Sequence, residues 1–119
     1  MKFLMMIKHS EDIRTQEIPP GLNDAMGKFV AESFENGTLK DTAGLKPTQF
    51  AYRIRQSGGK LKVTDGPFTE AKEVVGGYAI VEAKTEQEAR VLAQKFMQLH
   101  LDHWPEFEGE CEVRQIEEF

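Results

Sequence analysis

Asp65, Lys72 and Glu73 put three ionisable groups into nine residues, around the turn Asp65-Gly66-Pro67-Phe68. A carboxylate at a strand end, walled by apolar groups, has its charged form disfavoured and can exchange a proton near neutrality. Asp65 is therefore the candidate acid or base, Lys72 or Glu73 its candidate partner, and Phe68 an aromatic wall for a substrate. The same residues also admit a purely architectural reading. Gly66 tolerates backbone angles that other residues avoid, Pro67 fixes its own φ, and an Asp before them accepts hydrogen bonds from its own turn. Phe68 then plugs the core, and Lys72 beside Glu73 is a solvated pair.

Arg53, Arg55 and Arg114 are the candidate anion clamps, because a guanidinium grips a carboxylate with two parallel hydrogen bonds. A second cluster is His100, Asp102, His103, Glu106 and Glu108, with Cys111 beyond it. His-x-x-His with nearby carboxylates offers mixed ligation to a divalent ion. The plainer reading is a polar helix end, where histidines complement the helix dipole and Trp104 closes the loop as a lid. No metal site is expected. Cys111 has neither a helix N-terminus nor a basic neighbour to activate it. Ser57-Gly58-Gly59 has the form of a hairpin turn, not of a phosphate-binding loop.

The elements that must position these groups follow from periodicity. Phe3–Ile7 is a short run apolar on both faces, a buried strand. A loop at 17–21 precedes a helix with Leu22, Met26, Phe29, Val30 and Ser33 or Phe34 on one stripe, ended at Gly37. An irregular strand lies within 38–47. Segments around 49–56 and 60–64 form a hairpin whose apolar face (Phe50, Tyr52, Ile54, Leu61, Val63) opposes a basic one (Arg53, Arg55, Lys60, Lys62). Tyr78–Val81 is a central strand. Thr85 and Glu88 form a capping box for a helix that buries Ala89, Leu92, Ala93 and Phe96 and reaches about Leu99. Cys111–Ile116 is the last strand.

The order is that of a ferredoxin-like α+β fold: βαβ-βαβ with an inserted β-hairpin, an antiparallel sheet and both helices on one face. The chain reads as a single domain, 1–119. The other sheet face, carrying Leu4, Met6 and one side of 77–83, has no cover within the chain. An open apolar face of that kind calls for a second copy, so a homodimer is expected. With 20 acidic and 15 basic residues the net charge is −5, which disfavours a nucleic-acid partner. No run approaches the roughly 20 apolar residues of a membrane span, so no membrane partner is expected. The single cysteine fits a reducing, cytoplasmic location.

The run Val63 to Glu73, then Gly76-Gly77-Tyr78, resembles the motif of the DGPF branch of the YCII-related proteins. Met1 to Met6, Gly44 to Pro47 and Glu112 to Gln115 match the same pattern, so the resemblance covers nearly the whole chain. It implies a dimeric α+β barrel of ferredoxin-like subunits. It also implies a cleft His–Asp pair of the kind proposed for some YCII-like members. Asp65 matches the motif aspartate, and His9, just past the first strand, is the candidate histidine. Within hydrogen-bond reach, Asp65 would orient the ring and raise its basicity; otherwise His9 is a solvated loop residue beside Ser10-Glu11-Asp12. Relatives in the wider superfamily act on muconolactone-like and chlorinated aromatic breakdown products.

The expectation is a small-molecule-binding homodimer, read as a cofactor-independent acid/base enzyme (isomerase, lyase or hydrolase type) on a small anionic substrate. Asp65 and His9 are catalytic; Arg53, Arg114, Phe68, Lys72 and Glu73 contact the substrate. No haem is expected, on the ground that no axial histidine stands on an apolar helix face. The alternative is a non-catalytic binding or regulatory module. The resemblance links that alternative to extracytoplasmic-function sigma factors, beside which some DGPF proteins are encoded.

Overall fold

Strand alternation decides which side of this molecule is dry. The computed structural model describes residues 1–118, with the side chains of 14 and 15 excepted. Its elements are β1 (Lys2–His9), α1 (Pro20–Glu35), β2 (Leu39–Gly44), β3 (Tyr52–Ser57), β4 (Lys60–Asp65), β5 (Val74–Glu82), α2 (Glu86–His103) and β6 (Gly109–Gln115). Short 3-10 turns stand at Glu11–Thr15 and Thr48–Phe50. Four strands make one antiparallel sheet in the order β2-β5-β1-β6. β1 and β2 thus flank β5, with α1 crossing between them, and the β3–β4 hairpin forms a separate sheet. This is the expected ferredoxin-like α+β arrangement.

Phe3 and Met5 of β1 join Leu39, Val81, Ala83, Ala89 and Ala93 in the buried core, with Val30, Leu92 and Val113 packed against it. All the helix residues among these meet the same sheet face, so both helices lie on it. Leu4 and Met6, pointing the other way, pair with Ile80 and Tyr78 of β5. These four stay half-buried. Charged and polar pairs surround them: Lys8 Nζ donates to Glu112 at 2.6 Å, Lys40 meets Glu82 at 3.1 Å, and Tyr78 Oη donates to Asp41 at 3.0 Å.

Local chemistry sets the element ends. Thr85 Oγ1 accepts from Glu88 N at 3.1 Å, capping α2, while Glu88 Oε2 reaches back to Lys84 N at 2.9 Å, one residue short of the reciprocal cap. α2 runs to His103, a turn beyond the expected Leu99, and ends at Trp104, whose N–H donates to the His100 carbonyl at 2.7 Å. Gly58 and Gly59 take φ of 58° and 73°, the two left-handed positions of a tight hairpin turn.

The hairpin stands away from the body. Every residue of β3 and β4 is exposed, Tyr52 by 67% and Leu61 by 71%. Tyr52 faces Asp65, Ile54 faces Val63 and Gln56 faces Leu61, so these six share one side. Arg53, Arg55 and Lys62 share the other, as the alternation implied. The radius of gyration is 16.1 Å, against about 13–14 Å for a compact chain of this length.

Candidate functional site

The Asp65 loop is tied down from a distance. Gly66 N donates to the Ala51 carbonyl at 2.8 Å. Phe68 N donates to Thr48 Oγ1 at 3.2 Å, and Thr48 in turn donates through its N–H (2.8 Å) and its hydroxyl to Glu11. Phe68 is buried beneath Arg53, whose guanidinium carbon lies 3.7 Å from the ring centre. Arg53 also donates to Glu70 at 2.7 Å. The guanidinium expected to clamp an anion is therefore stacked and paired against the Asp65 loop. Asp65, Lys72 and Glu73 are exposed. Among the described residues, Asp65 has no side-chain hydrogen bond; backbone groups, Thr48 and Glu11 hold the turn. Arg114 faces Leu4 across β1 and β6. It lies on the helix-free face, 4.0 Å from Glu112.

His9 lies inside β1, not past its end, and is 6% exposed. Its Nδ1 lies 2.8 Å from the Ser10 carbonyl. A carbonyl only accepts, so Nδ1 carries the proton and the neutral ring keeps its lone pair on Nε2. Nε2 rests over Gly76: a Cβ there would come within 2.0 Å of it. No hydrogen bond joins His9 to Asp65 among the described residues.

His9 borders a cavity of about 640 Å³ between the helices and the sheet. Its walls include Met5 and Ile7 of β1, Met26, Phe29 and Val30 of α1, Gly77 and Ala79 of β5, and Leu92, Phe96 and His100 of α2, with Trp104, Phe107 and Cys111. Among the described residues no Asp, Glu, Lys or Arg lines it. His100 is 7% exposed, with Nδ1 3.1 Å from the Phe96 carbonyl. Phe107 stands between the imidazoles, 6.3 Å from His9 and 4.9 Å from His100, and packs on Trp104 at 5.2 Å. Two buried imidazoles with unbonded Nε2 atoms thus share one apolar chamber.

Burial holds His100 below the usual imidazole range, opposed by its bond to the Phe96 carbonyl. Burial also pushes the Cys111 thiol up, leaving it protonated and unreactive. The unfolded chain thus takes up a proton on His100 before the folded chain does. Stability attributable to His100 is present above about pH 6.5 and declines as pH falls from there towards the lower folded value. Thermal unfolding followed across that window should show this decline, and His100→Phe should flatten it. The carboxylates held low, Glu70, Glu82 and Glu112, act only from the ordinary carboxylate range downwards, below the His100 window.

Three readings of the sequence need correction. First, the polar helix end does not include both histidines: His103 is exposed but His100 is buried. Asp102 accepts from Gln98 at 2.8 Å. Among the described residues no group of three or more His, Cys, Asp or Glu could hold a metal ion. Second, a histidine does stand on an apolar helix face. Ala89, Ala93, Phe96 and His100 form one helical stripe, and that spacing was the available signal. Third, Trp104 is no outer lid but a buried wall. The Glu11–Thr48 clamp had no local signal, because its partners are 37 residues apart.

A family model described as the YCII-related domain matches residues 1–119. An uncharacterized protein of Rhizobium meliloti (strain 1021) is 40% identical over 55 residues, covering 46% of this chain and 44% of that protein. The chain thus spans under half the length of the curated relative it matches. Among the described residues no helix is long and apolar enough to cross a membrane.

Proposed function

Because the chain belongs to the YCII-related domain family, and because two buried imidazoles share one apolar chamber, we propose that it binds a small organic molecule between its helices and its sheet. The volume falls within the range of ligand pockets, roughly 300–1,000 Å³, and an apolar lining with a few fixed polar groups is their usual make-up. Phe29, Phe96, Trp104 and Phe107 supply ring-sized walls, and the Nε2 atoms of His9 and His100 supply the polar contacts. A base at either Nε2 can accept a proton from a bound molecule, so acid–base turnover is within the chemistry of the chamber. The observation that carries this reading is the pair of unbonded Nε2 atoms on residues more than nine-tenths buried. Titration with 2-naphthol, followed by backbone amide shifts, should perturb β1, α1 and α2 around the chamber. Shifts confined to the hairpin, or none, would contradict it.

The working unit in this reading is a homodimer. A two-stranded hairpin exposed on both faces is marginal in water on its own. This one carries Phe50, Tyr52, Ile54, Leu61 and Val63 in the open. Arg53, Arg55, Lys60 and Lys62 against Asp65 give the hairpin a net charge of +3, leaving −8 on the rest of a chain of net −5. A basic arm on an acidic body is complementary to a second copy of itself.

One observation favours a second site in that dimer. Asp65 shares the apolar side of the hairpin with Tyr52, Ile54 and Val63. Covered by a second copy, its carboxylate would stand between subunits, placed to exchange a proton with a molecule bound there. His9 would then belong to the interior chamber rather than to the Asp65 site.

A further inference from the structure

Granted the chamber as the binding site, we propose that its ligand is a neutral, largely apolar molecule that donates a hydrogen bond, such as a hydroxylated ring, and not a carboxylate. Gln16, Asn23 and Thr38 bring donors to the less buried parts of the lining, but the polarity of its buried side chains has one sign. The buried polar side chains of the described residues are His9, Ser33 and His100, and all three line this cavity. Each commits its proton to a backbone carbonyl: His9 to Ser10 at 2.8 Å, Ser33 to Phe29 at 2.7 Å and His100 to Phe96 at 3.1 Å. What these groups turn towards a ligand is lone pairs.

An anion brings further lone pairs and a charge that no cation among the described lining residues balances. Desolvating it there without a partner is costly. A hydroxyl inverts the pairing, since its O–H meets an Nε2 acceptor that is otherwise unsatisfied. The surrounding Phe29, Phe96, Trp104 and Phe107 side chains then bury the ring that carries it. The anionic substrate expected from the sequence rested on Arg53 and Arg114, and neither reaches this space.

Three probes of one shape decide the matter by titration calorimetry at neutral pH: 2-naphthol, its methyl ether, and 2-naphthoate. The hydroxyl compound should bind at least about tenfold more tightly than the ether, which fills the same space without a donor. Naphthoate should bind more weakly still. His9→Phe or His100→Phe, checked for folding by thermal melting, should bring 2-naphthol towards the affinity of the ether. The ratio of the two compounds on the unaltered protein is decisive even if both variants misfold. Ether binding equal to naphthol binding, or naphthoate binding best, would overturn the donor rule and leave the chamber standing. Heat from none of the three would remove the chamber as a binding site, and the donor rule with it.

Discussion

Gly66→Ala is expected to lower the free energy of unfolding by about 3 kcal/mol, a large share of what a domain of this size holds. A Cβ at position 66 would lie 1.7 Å from the Thr48 carbonyl oxygen, 2.7 Å from its carbon and 3.2 Å from the Ala51 oxygen. All three are backbone atoms, so no side chain can swing aside. Relief must come from moving the Thr48–Phe50 turn, and that breaks the Gly66–Ala51 hydrogen bond and loosens the Glu11–Thr48 clamp. Chemical denaturation measures the loss directly. Asp65→Asn should cost under about 0.5 kcal/mol, as exposed substitutions without partners do. A loss of 1–3 kcal/mol at Asp65 would restore it as the turn-maker.

Ile54→Glu combined with Leu61→Glu should raise the dissociation constant of the dimer at least about a hundredfold. Covering each apolar side chain contributes roughly 1.5–3 kcal/mol, and every 1.4 kcal/mol is a factor of ten. Two carboxylates also reduce the positive charge of the arm. Both positions are exposed in the single chain, so the variant subunit should still fold. Sedimentation equilibrium at micromolar concentration tests this. An unaltered chain that sediments only as a monomer, or a double variant that dimerises normally, contradicts the role given to the hairpin.

The parts of this fold that were legible in the sequence are those with local causes. Short apolar runs marked β1 and β5, period-two alternation marked the hairpin strands, Ser57-Gly58-Gly59 marked the hairpin turn, and Thr85 with Glu88 marked the start of α2. The double-sided apolar pattern of β1 also exposed the missing cover, because Leu4 and Met6 cannot share a face with Phe3 and Met5. The candidate site was harder to see. His100 sits on the stripe of Ala89, Ala93 and Phe96, but the nearby His103 and Asp102 drew attention to ligand spacing instead of helical phase. His9 was read against its acidic neighbours when its strand position, in step with Phe3 and Met5, already turned it inward. Arg53 over Phe68 and Glu11 on Thr48 are tertiary contacts between distant segments, and no local rule announces them. They matter because they remove Arg53 from the set of free anion clamps and make the Asp65 turn rigid without the Asp65 carboxylate.

The central claim is that two interior imidazoles turn unprotonated Nε2 atoms into one chamber. Nitrogen-15 spectra of the histidine side chains, recorded above neutral pH with and without 2-naphthol, test it most directly. His9 and His100 should both show the Nδ1–H tautomer, and at least one Nε2 resonance should move on addition of the naphthol while exposed His103 stays still. Nε2–H tautomers at both positions, or resonances unmoved by a saturating ligand, would contradict it.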